Sequence, residues 1–261
     1  MCYSKNSKSK IKERRYPLET KKIVWELFPK LTEKVWSDHA SAGMLGGSHD
    51  PDHAIRVAQM ALVIADDPNI GRLAAAAGLC HNADRIIKKK TGTDIHKVPD
   101  EDVRELVEEE LSSEGLGSEE SAIIIGAVLG HKGKNGAGDH PVLITLMDAD
   151  RLVNAEPDLI MRSGQHYHEL PPVDPIHLWE DPEADYWHPK TVLRDVMETI
   201  VWLTPGDDNP LYVRLPKARV IAAERKKFFD NFAATLVQCR EETGFHPYPA
   251  DLLSLRKKFM G

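Results

Sequence analysis

Apolar positions along this chain recur mostly at steps of three and four, a period that predicts helices and leaves little room for strands. Ile23, Val24, Leu27, Phe28, Leu31 and Val35 mark an amphipathic helix over 18–38, which the glycine-rich stretch 42–47 ends. Asp50 followed by Pro51 reads as an N-cap with proline in the first helical position, opening a nearly all-apolar helix that runs to about residue 65. Residues 73–80 are more apolar still, with four consecutive alanines, as expected of a helix buried on every side, and His81 emerges from its end. An acidic helix starts at Asp100 and carries Val103, Leu106, Val107 and Leu111. Another spans 118–130 and closes on Gly130-His131-Lys132-Gly133. Pro141 opens an apolar helix over 142–147 that ends in Asp148-Ala149-Asp150-Arg151, and helices resume at 191–203 and 217–243.

Between 163 and 189 the character changes. Pro171, Pro172, Pro175, Pro182 and Pro189 rule out one continuous helix, and four histidines and two tryptophans fall in the same stretch. A structureless segment of this length with aromatic content predicts an ordered cover or lid. His166, His168, His177 and His188 have no metal-ligand spacing, so packing is their expected role, and Trp179 and Trp187 are expected to anchor the loop.

Composition narrows the class. With 41% hydrophobic and 29% charged residues the chain is globular, and its 261 residues suffice for a large core. The net charge of −7 argues against a nucleic-acid-covering surface, although Lys5, Lys8, Lys10, Lys12, Arg14 and Arg15 crowd the start. Residues 1–16 therefore read as a solvated basic arm, and 17–261 as a single helical domain. Cys2, Cys80 and Cys239 are too few and too scattered for a disulfide framework. That cysteine usage, with no long apolar run and no secretory leader pattern, predicts a cytoplasmic protein without membrane spans.

The chemistry lies at helix ends. His53, His81, Asn82, His131 and Asp148 each sit on or beside an apolar helix, and burying imidazole and carboxylate is costly unless they are paired or hold a metal. Histidines and a carboxylate drawn from separate helices are how helical bundles build metal sites.

His53 in Asp52-His53-Ala54-Ile55-Arg56-Val57, the pair His81-Asn82 closing an apolar helix, and Asp148 in Asp148-Ala149-Asp150-Arg151-Leu152 together resemble the H…HD…D pattern of the HD superfamily. The tail from Leu215 to Phe229, with Ala222-Ala223-Glu224-Arg225, is similar to the closing helix of one bacterial branch of HD phosphohydrolases. The resemblance implies an all-α HD-domain bundle with further C-terminal helices. It also implies a divalent metal (Mn, Ni, Mg, Co or Fe) on His53, His81, Asn82 and Asp148, and hydrolysis of a nucleotide or other small phosphate ester. Within it, His131 is a further ligand or the acid for the leaving group, Asp84 stands in for the missing carboxylate, and Arg56, Arg85 and Lys132 bind phosphate.

One position departs from the family. Asn82 replaces the Asp that follows the second His, and a neutral amide is a weak ligand that cannot bridge two metals as a carboxylate can. A second expectation is thus a catalytically degenerate HD domain that binds a nucleotide or protein partner. A third is a di-iron oxygenase, which would need His140 or His96 recruited. Asp150 is expected to form a local ion pair or cap. The glycine-containing loop 132–139 lacks the Gly-Lys-Ser/Thr ending of a phosphate loop and follows no strand, so a flexible turn is expected there.

Overall fold

The computed structural model describes residues 20–46, 49–170, 172, 191–206 and 209–243, and among them every regular element is helical. The all-α expectation holds.

The first predicted helix is two: α1 (Thr20–Leu27) and α2 (Pro29–Ser41). Pro29 has no backbone N–H to donate, and Phe28 before it takes φ −139° and ψ 60°, so the helix restarts there. The apolar positions keep their phase across the break, and Val24, Phe28, Leu31 and Val35 are all buried.

α3 (Pro51–Ile64) begins as expected, with the Asp50 carboxylate accepting from the His53 N–H. α4 (Pro68–Cys80) is buried along most of its length and packs on α2, α3, α6, α7 and α8. An unanticipated short helix, α5 (Ala83–Thr91), follows His81 and stops at Gly92, whose φ of +73° and N–H to the Lys88 carbonyl make the left-handed cap. α6 (Asp100–Ser112) and α7 (Ser118–Gly130) come next.

α8 (Pro141–Asn154) runs well past the expected end at Met147, carrying Asp148, Asp150 and Arg151 inside the helix. α9 (Leu159–His166) occupies the start of the predicted loop. It is followed later by α10 (Val192–Thr199), a 3-10 turn (Ile200–Leu203) and α11 (Pro216–Glu242). The rest of the expected cover, with His177, His188, Trp179 and Trp187, lies outside the described residues, as does the basic arm. No helix among the described residues is long and apolar enough to cross a membrane.

The core is the packing of α3 and α8 against α4, with α7 across α4 and α8. The α3–α4 approach depends on Gly78: a Cβ there would lie 2.9 Å from the Ala58 backbone nitrogen. His81 leaves α4 three residues beyond this contact, so the same contact sets how close its imidazole comes to α3. Gly78→Ala should lower stability by about 1–3 kcal/mol through overpacking against backbone, outweighing the helix propensity gained. Thermal melting checks this, and an unchanged midpoint would refute it.

Behind the site helix, Glu110 is fully buried beside the Cys80 thiol, and burial pushes its carboxyl up to about 8. The folded state then keeps a proton that an unfolded carboxyl, at 4.5, releases. The stability this contributes is complete below about pH 4.5 and is lost as pH rises toward 8. Glu110→Gln should therefore flatten the fall in melting temperature across that window, as calorimetry at several pH values would read.

Candidate metal centre

His53, His81 and Asp150 each offer one ligand atom such that all three lie within 4.8 Å of one another. The Nε2 atoms of His53 and His81 stand 3.2 and 3.6 Å from the same Asp150 oxygen, Oδ1. α3, the end of α4 and the middle of α8 deliver the three groups.

Hydrogen bonds on the far side of the rings prepare this geometry. His81 Nδ1 lies 2.7 Å from the Gly78 carbonyl, and His131 Nδ1 lies 2.5 Å from the Val128 carbonyl. A carbonyl only accepts, so each Nδ1 carries the hydrogen and each Nε2 keeps its lone pair. His81 Nε2 is buried with no hydrogen-bond partner, which fits a cation ligand held in the correct tautomer. Asp150 is oriented in turn by the Asn154 amide, which donates at 2.8 Å.

Charge follows the same plan. Burial lowers the His81 and His131 imidazoles below the usual histidine value, keeping them neutral. Burial also opposes ionisation of Asp150. The hydrogen bond with His53 outweighs it and holds that carboxyl well below the usual carboxylate range. Neutral imidazoles with an ionised carboxylate are the protonation states that bind a dication.

His81, His131 and Asp150 open onto a cavity of about 910 Å³. His49, Asn82, Asp84, Arg85, His131 and Lys132 share its wall near the ligands, and residues of α9, α10 and the following turn form the other side. Lys132 pairs with Asp84. Arg85 makes no side-chain hydrogen bond or ion pair among the described residues, and burial lowers its guanidinium from the ordinary value. His166 reaches the cavity from α9, while His168 is exposed beside Glu169.

Two expected site residues are placed elsewhere. Asp148 is fully buried, and its Oδ2 accepts from the backbone N–H groups of Arg214 and Leu215, each at 2.7 Å. It ties α8 to the chain entering α11, and Asp150, not Asp148, stands beside His53 and His81. Two residues along a helix turn about 200°, so the pair cannot serve one site. Arg56 is off the cavity wall and is committed to Asp52, Glu156 and Asp158.

Of the histidines considered for a di-iron site, His140 caps α8 by accepting from the Val142 N–H, and His96 sits in a short turn at Ile95–Lys97. Neither lines the cavity. His49, which does line it, lies before the N-cap Asp50 of α3, its ring 5.6 Å from that of His53. Because it stands outside the helix, no helical spacing in the sequence marks it. The loop 132–139 is pinned rather than free: Arg151 donates to Asn135 and the Gly133 carbonyl, and Arg214 pairs with Asp139.

The family model of the HD domain matches residues 52–155, a span that includes His53, His81 and Asp150. Searches of curated proteins and of solved structures return no match.

The two aspartates of α8 should separate cleanly. Asp148→Ala leaves two backbone N–H groups unpaired and should cost about 2 kcal/mol or more, with metal uptake by the folded protein retained. Asp150→Ala should abolish metal uptake at a smaller cost in stability. Melting curves and metal titration of both variants check the assignment.

Proposed function

Residues 52–155 belong to the HD domain family, and from that premise we propose that the chain is a metal-dependent phosphohydrolase acting on a small phosphate ester, nucleotides among them. The observation that carries this reading is the convergence of two imidazole Nε2 atoms on one oxygen of Asp150. His53, His81 and Asp150 are the residues that would hold a divalent ion. Of Mn, Ni, Co, Fe and Mg, the first four suit a site of two imidazoles and a carboxylate, whereas Mg prefers an all-oxygen shell.

When bound, the ion supplies Lewis acidity toward a phosphoryl oxygen and toward the attacking water. The chain's own residues do the rest. Arg85, with no side-chain hydrogen bond or ion pair among the described residues, binds phosphate with its guanidinium, and Asp84 holds the Lys132 ammonium at the same wall. His131, neutral and anchored through Nδ1, has Nε2 to take a proton from water and return it to the ester oxygen as the P–O bond breaks. Asn154 keeps Asp150 aimed at both imidazoles.

A second reading is favoured by Asn82, whose amide lacks the charge of the carboxylate found in the family pattern. In that reading the domain binds a phosphorylated ligand without turning it over.

Phosphate release from a panel of phosphomonoesters and nucleotides, with the protein loaded separately with Mn, Ni, Co, Fe or Mg, distinguishes the two. Hydrolysis is expected, with bound metal near one per chain in the wild type and near zero in His53→Ala. The same variant should lose activity at least 100-fold. A metal-loaded wild type that binds inorganic phosphate but cleaves no ester would establish the second reading instead.

A further inference from the structure

Asn82 is 2% exposed, and its Nδ2 is buried without a hydrogen-bond partner. It does not cap the helix it precedes. α5 receives no side-chain cap from it, and the backbone carbonyl of Asn82 is what accepts from the Arg85 and Ile86 N–H groups. Nδ2 itself can only donate, since an amide nitrogen carries two hydrogens and has no lone pair; ligation of a cation by this side chain would use Oδ1 and leave Nδ2 still in need of an acceptor. A buried N–H left unmatched costs about 1–3 kcal/mol, so a persistent one calls for an acceptor.

Its neighbours say which kind. Asn82 shares the cavity wall with Arg85 and Lys132, both cationic, and with the ligand His81. Asp84, the nearby carboxylate, is already paired with the Lys132 ammonium. Acceptor oxygens entering this corner therefore meet the Arg85 guanidinium, an ammonium shared with Asp84 and a neutral donor, which suits an anion with several oxygens.

We propose that Asn82 is a hydrogen-bond donor to a phosphoryl oxygen of the substrate rather than a metal ligand. Arg85 supplies beside it part of the positive charge that a second, carboxylate-held metal would otherwise bring, and the Asp84-held Lys132 a further N–H donor. The inference rests on the phosphohydrolase reading and specifies its substrate: one metal and a phosphomonoester dianion. A monoester presents three non-bridging oxygens and two negative charges to the ion, Arg85, Lys132 and Asn82. A diester, with two such oxygens and one charge, leaves part of that set unmatched.

The test uses the full chain with Co²⁺ and inorganic phosphate as probes, both followed by isothermal titration calorimetry. Wild type should bind close to one Co²⁺. Asn82→Ala should keep Co²⁺ affinity within about threefold and weaken phosphate binding to the Co²⁺-loaded protein at least tenfold. Asn82→Ser, which restores a donor, should recover part of the loss, and circular dichroism verifies that both variants are folded.

Co²⁺ binding weakened tenfold in Asn82→Ala, with phosphate affinity unchanged, would make Asn82 a ligand and overturn the inference. Phosphate affinity indifferent to position 82 would overturn it as well, leaving the phosphohydrolase reading in place. A wild-type chain that binds no Co²⁺ would remove both.

Discussion

The site depends on one close approach, that of α4 to α3 at Gly78. Only a residue without a side chain lets the Ala58 backbone come this near, and the His81 imidazole, three residues on, is anchored to the Gly78 carbonyl itself. The spacing that packs two helices thus also sets the spacing of two ligands. α8 completes the arrangement by packing on both and projecting Asp150 between the imidazoles. An all-apolar α4 follows from this constraint, since a helix touched by α2, α3, α6, α7 and α8 has almost no side left for water.

α8 divides two duties between two aspartates. Asp148, facing the entry to α11, satisfies two backbone N–H groups that would otherwise be buried unpaired, and Asp150 faces the cavity. Arg151 and Arg214 extend the same fastening to loop 132–139, which carries Lys132 at its start. The start of this loop at the cavity wall is therefore held by the scaffold, as a site built on packed helices requires.

The position after His81 gives the chain its individual chemistry. A carboxylate there adds charge to a metal site, whereas Asn82 removes that charge and presents a donor beside Arg85 and Lys132. If Asn82 donates to phosphate as proposed, the balance moves from holding cations toward holding an anion, with His53, His81 and Asp150 grouped as a candidate site for one ion.

The helical class and most helix starts were legible in the sequence, because apolar periodicity and capping residues are local properties; the pairing of His53 with His81 comes from the resemblance to the HD superfamily. Pro29 interrupts a periodic stretch that reads as one helix, since hydrophobic phase continues where a backbone hydrogen bond cannot. The choice between Asp148 and Asp150 was not legible. Both are acidic and two residues apart, and the difference is which face of α8 meets the α11 entry and which meets the cavity. His49, Arg56 and Arg85 divide for the same reason. Whether a cation is spent on Glu156 and Asp158 or left facing a cavity is settled by what tertiary packing brings opposite it, and residue type carries no record of that.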